Sequence, residues 1–254
     1  MVARHDAIML KHAIVFVLLS LGVDCKGSAD FRRTKFYWRA DLDRGGVASS
    51  IEVSKFLSTG VVDLSPKETV TSIFSGYPTF LRGATLGLCR IKPSSTDGSY
   101  ELRTFALGGA EGALLLVFGK PRAVKRKGRL DLLNGVFEGG APGEALCCIE
   151  LPIEGGLLAN TQSETAGHKS SKKSDYGFLR FAFYQGYTDN GTDRPFSCVT
   201  LVTEIAGGYM PALAGFLSRF LPFEFRKFVY CNSQRLLHEY VMWKYHAHVM
   251  NELS

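Results

Sequence analysis

The chain has 254 residues, of which 46% are apolar and 21% charged, with 27 Gly and 9 Pro, a balance that excludes a disordered or fibrous protein. The net charge of +6 favours anionic partners slightly, but no zinc-finger, basic heptad or RNP-type module accompanies it, so no nucleic-acid partner is expected. Six cysteines without CxxC spacing indicate neither a disulfide scaffold nor a zinc site.

The N-terminus has the order of a signal peptide. Basic residues such as Arg4 and Lys11 precede the uncharged run of residues 13–23, and small or polar residues follow as far as Ala29. The run is shorter than the roughly 18–20 residues that cross a bilayer. Residues 1–29 are therefore predicted to be a cleaved signal peptide, which places the protein in the secretory pathway or outside the cell. A buried first strand is the alternative, with an organellar or cytoplasmic location.

The next elements are a strand pair and a capped helix. Residues 36–57 have a strand-like pattern around the Gly45-Gly46 turn. Ser65-Pro66-Lys67-Glu68 then supplies an N-cap, a first-position proline and a carboxylate that can cap free amides. Gly76-Tyr77-Pro78 is predicted to end that helix, and residues 79–83 to form a second helical turn.

The middle of the chain reads as successive strands. They are predicted over residues 86–91, 100–107, 113–118, 124–133, 145–153, 177–187 and 196–205. Short strands at this spacing favour an antiparallel meander over βαβ units. Cys147 and Cys148 are adjacent in one predicted strand, so their side chains should point to opposite faces. At about residues 161–175 no side chain is both apolar and large, which predicts a mobile loop.

The C-terminal region is predicted to be helical. Residues 210–220 have a helical pattern, and Pro222 begins a further helix. Neither Gly nor Pro occurs from Phe223 to about Met250, and a helix of that length would extend about 40 Å. Such a helix needs a surface to pack against.

This order of elements resembles the START-like helix-grip superfamily, also called SRPBCC, which includes polyketide cyclases and lipid-transfer proteins. The resemblance rests on residues 61–70, on Tyr77-Pro78, and on strand 198–205 leading into Pro211 and the long helix. It implies an α+β fold in which a curved antiparallel sheet wraps around a long C-terminal helix, as one domain over residues 30–254. It also implies a cavity between sheet and helix that holds an apolar molecule.

Aromatic and Met side chains on the C-terminal helix are the candidate ligand contacts, because such side chains fit irregular apolar ligands. The candidate cavity-wall residues are Tyr240, Met242 and Trp243. Ordinary core packing is the alternative interpretation of each.

A basic cluster in the middle of the chain is a candidate for contact with an anionic membrane surface. Its members are Lys120, Arg122, Lys125, Arg126, Lys127 and Arg129. A solvated hairpin turn is the alternative. A second amphipathic candidate combines aromatic and basic residues: Phe216, Phe220, Phe223, Phe225, Arg219, Arg226 and Lys227. Core packing explains the aromatic members equally well.

No catalytic, metal or cofactor site emerges from the sequence. His238, His246 and His248 lack the i,i+3 or i,i+4 spacing of a helical metal pair, and no hydrolase elbow, P-loop or dinucleotide motif is present. The favoured function is non-catalytic binding or transfer of a lipid or other apolar small molecule.

Two alternatives stay open. One is an enzyme of the polyketide cyclase or dehydratase kind, which requires an acid or base inside the cavity. The candidate acids are Glu101, Glu150 and Glu204, and the sequence does not indicate which faces inward. The other is an interaction protein whose pocket has collapsed.

Overall fold

The computed structural model describes residues 31–58, 65, 76–85, 89–94, 98–104, 112–124, 145–159, 177–188, 196–211 and 220–253. The strands in these ranges are β1 (Phe31–Leu42), β2 (Ala48–Ser58), β3 (Cys89–Pro93), β4 (Tyr100–Thr104), β5 (Leu114–Phe118), β6 (Arg122–Ala123), β7 (Cys147–Gly155), β8 (Phe178–Thr188) and β9 (Phe196–Tyr209). The helices are α1 (residues 76–84), α2 (Phe223–Asn232) and α3 (Gln234–Glu252). The predicted signal peptide and the predicted loop at residues 161–175 lie outside the described residues.

The strands form one curved sheet in the order β1-β2-β9-β8-β7-β5-β4-β3, with β6 pairing to β7. Every strand pair is antiparallel. The last strand, β9, lies between the N-terminal hairpin and the meander, and α3 packs on one face of the sheet. The predicted α+β fold class, a curved antiparallel sheet with a long C-terminal helix, is confirmed.

Both faces of the sheet carry buried side chains. On the α3 face the main core includes Phe56, Ile149, Leu151, Phe181, Phe183, Val199, Leu201 and Ile205, joined by Met242, Tyr245, Val249 and Met250 from α3. A smaller cluster on the opposite face contains Ile51, Val53, Cys148, Ala182, Tyr184 and Val202. Because side chains alternate along a strand, Cys147 packs on the main core and Cys148 in the smaller cluster, as predicted.

The C-terminal helix begins after Pro222, as predicted, but it is not continuous. It breaks at Ser233, which has φ −134° and ψ −85°. The Ser233 hydroxyl donates to the Val229 carbonyl, and the Asn232 amide donates to the Phe228 carbonyl. Side chains that bond the carbonyl four residues earlier bend helices. The break therefore comes from Asn232 and Ser233, whereas the prediction of a continuous helix rested on the absence of Gly and Pro.

Three other local predictions are corrected. Gly76, Tyr77 and Pro78 are helical and belong to α1 instead of ending a helix, because helix propensity is a weak preference that tertiary contacts such as that of Tyr77 with Tyr245 override. Val124, where a strand was predicted to start, instead follows β6, and residues 125–133 of that predicted strand lie outside the described residues. Residues 210 and 211 are not helical, because β9 continues to Tyr209.

Gly208 on β9 provides a test of this packing. A Cβ atom there would lie 2.7 Å from the Gly177 Cα and 3.2 Å from the Ile153 Cβ. We expect Gly208→Ala to lower the free energy of unfolding by about 1–3 kcal/mol because backbone must shift. Gly83→Ala in α1 is the matched control, since its added Cβ meets no atom within 4 Å, and it should raise stability by up to about 1 kcal/mol. Urea unfolding that ranks the two variants in the reverse order would contradict this packing.

Candidate functional site

A row of buried polar side chains lies where α3 crosses β2 and β9. Ser50, Glu52 and Ser54 occupy alternate positions of β2 and therefore share the face that α3 covers. Their partners on α3 are His238 and His246. These two histidines are eight residues apart, which separates them by about 12 Å along the helix axis. The spacing of His238 and His246 along α3 thus matches that of Ser50 and Ser54 along β2, so each histidine contacts one serine.

His246 is fully buried and has a hydroxyl partner at each ring nitrogen. Its Nδ1 lies 2.8 Å from Ser54 Oγ, and its Nε2 lies 2.8 Å from Thr203 Oγ1. Burial, with the added repulsion of Arg33 and His238, holds the pKa of His246 well below its usual value. The ring is therefore neutral near pH 7, with one nitrogen donating and the other accepting. This arrangement ties α3 to two adjacent strands.

Glu52 and His238 form a second polar contact. Glu52 is only 1% exposed, and its Oε1 lies 3.2 Å from His238 Nε2. Burial lowers the pKa of His238, but the Glu52 carboxylate outweighs that effect and raises it above its usual value. The second carboxylate oxygen, Glu52 Oε2, is buried and has no hydrogen-bond partner among the described residues. A buried carboxylate oxygen without a donor is costly, so this atom can accept a hydrogen bond from a ligand.

The geometry does not form a nucleophilic triad. Ser50 Oγ lies 3.2 Å from His238 Nε2, the same nitrogen that Glu52 contacts. In a Ser-His-acid triad the nucleophile and the carboxylate bind different ring nitrogens. The arrangement suits proton transfer or hydrogen-bond acceptance instead.

The three acids singled out from the sequence are elsewhere. Glu150 and Glu204 each contact Arg180 at 2.7 Å, and Glu101 contacts Arg103 at 2.7 Å. The sequence analysis missed Glu52, whose alternation with apolar Ile51 and Val53 has the pattern of a solvent-facing residue. In the structure Ile51 and Val53 are buried in the smaller cluster on one face of β2, while Glu52 is buried under α3 on the other face.

An apolar cavity lies on the same sheet face, between α1 and the meander. Its volume is about 20 Å³. The lining residues are Tyr77, Pro78, Ile91, Tyr100, Phe118, Leu151, Leu179 and Phe181. The Tyr77 ring lies 5.8 Å from the ring of Phe181 and 4.8 Å from that of Tyr245. Burial raises the pKa of Tyr77, so its phenol is neutral.

The cavity and the buried acid lie in one cross-strand row. Glu52 pairs with Thr203 on β9, and Thr203 pairs with Phe181 on β8. Two strand spacings separate Glu52 from Phe181, or about 10 Å. The polar row and the cavity are therefore neighbouring parts of one layer beneath α1 and α3.

The predicted cavity-wall residues have different environments. Met242 is buried in the main core, whereas Tyr240 and Trp243 stack on each other with ring centroids 6.4 Å apart. Trp243 is exposed, and the cationic groups of Arg33 and Lys244 lie 4.9 and 5.2 Å from its ring. None of the three predicted residues lines the cavity described above.

The predicted membrane-surface residues are only partly described. Lys120 and Arg122 are exposed, and Arg122 belongs to β6 at its pairing with β7. Lys125, Arg126, Lys127 and Arg129 lie outside the described residues. Membrane contact by this cluster stays a prediction.

The described residues contain neither a candidate metal site nor a helix that could span a membrane. No group of three or more His, Cys, Asp or Glu side chains in these ranges could hold a metal ion. No helix in the described part of the chain is long and apolar enough to cross a membrane.

The neutral state of His246 predicts a pH-dependent stability. In the unfolded chain His246 takes up a proton near pH 6.5 that the folded chain excludes, so stability should fall below that pH by up to about 1.4 kcal/mol per pH unit. The His238 contribution has the opposite sign: it is present below pH 6.5 and is lost as pH rises through the raised pKa.

The variant His246→Gln isolates the first effect. It should cost about 1–3 kcal/mol at pH 8, where buried hydroxyls lose their partner, and progressively less below pH 6.5. His248→Gln is the control, because that ring lies on the same helix but stacks on Phe80 instead of lying between Ser54 and Thr203. A cost of His246→Gln that stays constant from pH 8 to pH 5 in urea unfolding would show that the folded ring is not held neutral.

The strand order and the C-terminal helix are compatible with a helix-grip fold. Comparison of the chain with protein-family models, with curated proteins and with solved structures found no match.

Proposed function

We propose that the protein binds or transfers a lipid or other apolar small molecule, without catalysis, in the layer between the sheet and helices α1 and α3. The observation that carries the proposal is the cavity beneath α1. Its lining side chains are aromatic or aliphatic, apart from the two tyrosine hydroxyls, and they come from α1 and five strands. Small-molecule sites are typically concave and lined by such side chains.

In the structure the cavity is too small for a ligand. Its volume of about 20 Å³ holds roughly one water molecule, whereas ligand sites measure roughly 300–1,000 Å³. Loading therefore requires α1 to move away from the sheet. The rings of Tyr77 and Phe80 hold α1 against Tyr245, and each such ring pair contributes about 0.5–1.5 kcal/mol. We infer that α1 is the element that opens.

Membership of the START-like helix-grip superfamily is part of the same proposal. Its support is the strand order, in which β9 pairs with the N-terminal hairpin before the chain continues into α2 and α3. The apolar cavity lies between sheet and helices, where the resemblance implies that a ligand binds.

Filling the cavity should weaken binding. The variant Ile91→Trp places an indole between β3 and α1. We expect it to weaken binding of the neutral apolar dye N-phenyl-1-naphthylamine at least about tenfold, because the indole occupies space that the dye would enter when α1 moves. Dye fluorescence, titrated against the full chain, measures the affinity.

Val117→Trp is the matched control. Val117 lies on β5 next to Phe118 but outside the cavity lining, and it is half-buried like Ile91. Equal dye affinity in both variants would place the dye elsewhere. No dye uptake by the unmodified chain, from buffer or after exposure to a lipid extract, would favour the interaction protein with a collapsed pocket.

A second candidate function is an enzyme of the cyclase or dehydratase kind acting on a polyketide-like substrate. The observation that favours it is Glu52, a buried acid beside His238 with one oxygen lacking a partner among the described residues. An acid-base enzyme needs such a group beside its substrate, and Glu52 lies in the same cross-strand row as the cavity wall.

Glu52→Gln separates the two functions. If Glu52 moves protons, incubating the unmodified chain with an organic extract of its host should generate a new species by mass spectrometry, and the variant should lower its rate about 10²–10⁴-fold. Dye affinity should change little in this variant, because the cavity lining is intact. Failure of the unmodified chain to convert any component would leave the carrier function as the better account.

A further inference from the structure

Helix α2 has one buried side and one exposed apolar side. Arg226 and Tyr230 are buried, and the Arg226 guanidinium donates to the Arg44 carbonyl. Phe225 and Phe228 are 52% and 53% exposed. These two phenylalanines are three residues apart and so share a side of the helix, roughly opposite Arg226 and Tyr230. The described structure places no apolar layer over them.

The turn before α2 extends this exposed surface. Phe220 is 85% exposed and Leu221 is 44% exposed, directly before Pro222. We define the aromatic face as Phe220, Leu221, Phe225 and Phe228. With about 200 Å² for a fully exposed aromatic side chain, the face offers about 450 Å² of apolar surface. Contiguous apolar patches of this size on soluble proteins often serve a function.

The area of the face argues against a second copy of the chain as its occupant. A stable protein interface needs about 800 Å² from each partner, nearly twice what the aromatic face provides. A lipid surface has no such minimum, because each phenyl ring enters the acyl boundary separately.

Charge favours a lipid surface that is anionic. Lys227 is next to Phe228 in sequence, is about half exposed, and lies 3.9 Å from Asp41. The two basic residues Arg226 and Lys227 outnumber the one acidic residue, Glu224, so α2 carries a net charge of +1. The whole chain carries +6. Exposed aromatic rings beside basic groups are typical of interfacial helices.

We propose that the aromatic face inserts into an anionic lipid surface and so docks the protein on membranes. This goes beyond the binding of an apolar molecule and does not depend on it, since the face lies outside the cavity. The docked helix would lie in the interface plane, with its buried side still packed on the protein.

Co-sedimentation of the full chain with phosphatidylcholine vesicles, with and without phosphatidylserine, tests the proposal. We expect binding that is stronger with phosphatidylserine and weaker at high salt. Phe225→Ser combined with Phe228→Ser should lower the vesicle partition coefficient at least about tenfold. Leu157→Ser is the control, because Leu157 is 47% exposed and follows β7 instead of belonging to the aromatic face, and it should leave the partition coefficient unchanged.

A variant that gains a fluorescence signal on binding is also needed, because the serine variants could lose vesicle binding by misfolding. Phe225→Trp should show emission that shifts to the blue on phosphatidylserine vesicles and is quenched by brominated acyl chains, relative to the unmodified chain. Absence of the added quenching, or equal partition of the serine variants and the control, would overturn the proposal. So would a dimer in light scattering that the serine variants convert to monomer, since that outcome assigns the face to a second copy. Dye uptake in the cavity should be the same in all these variants.

Discussion

The fold depends on one histidine that hydrogen-bonds to two strands. His246 joins α3 to Ser54 on β2 and Thr203 on β9, so it holds together the N-terminal hairpin, the last strand and the C-terminal helix. A buried imidazole with both nitrogens bonded to hydroxyls is directional, unlike the apolar contacts around it. It therefore sets the rotation of α3 on the sheet. That rotation turns the neighbouring Tyr245 toward Tyr77 and away from solvent.

The same rotation connects the polar row with the cavity. With His246 held in place, His238 lies two helical turns earlier and reaches Glu52, while Tyr245 packs between α1 and β8. Helix α3 thus covers the row of buried polar side chains and, beside it, packs Tyr245 against the apolar layer beneath α1. Carrier and enzyme differ here only in whether a ligand reaches the carboxylate. In both proposed functions α3 keeps this orientation while α1 moves.

Much of the architecture could be predicted because it follows from short-range patterns. The Gly45-Gly46 turn, the meander and the start at Pro222 each reflect local backbone preferences, and all match the structure. The break at Ser233 was not predicted, since it results from side chains competing for helix carbonyls. Glu52 was not predicted either: an acid alternating with apolar residues indicates a solvent face unless the opposite face is also known to be covered. That knowledge requires tertiary contacts.

The position of β9 between β2 and β8 also bears on how the chain folds. Val53 pairs with Val202, so the backbone groups on one edge of β2 stay unpaired until β9, near the end of the chain, has been synthesised. Such non-local pairing forms slowly, because the long intervening segment must lose conformational entropy before the two strands can contact each other. Until β9 arrives, β2 presents an open edge with Ile51 and Val53 uncovered, the kind of surface that pairs with other chains. An interior strand is thus the last to join the sheet, and the growing chain is most prone to self-association just before this C-terminal strand emerges.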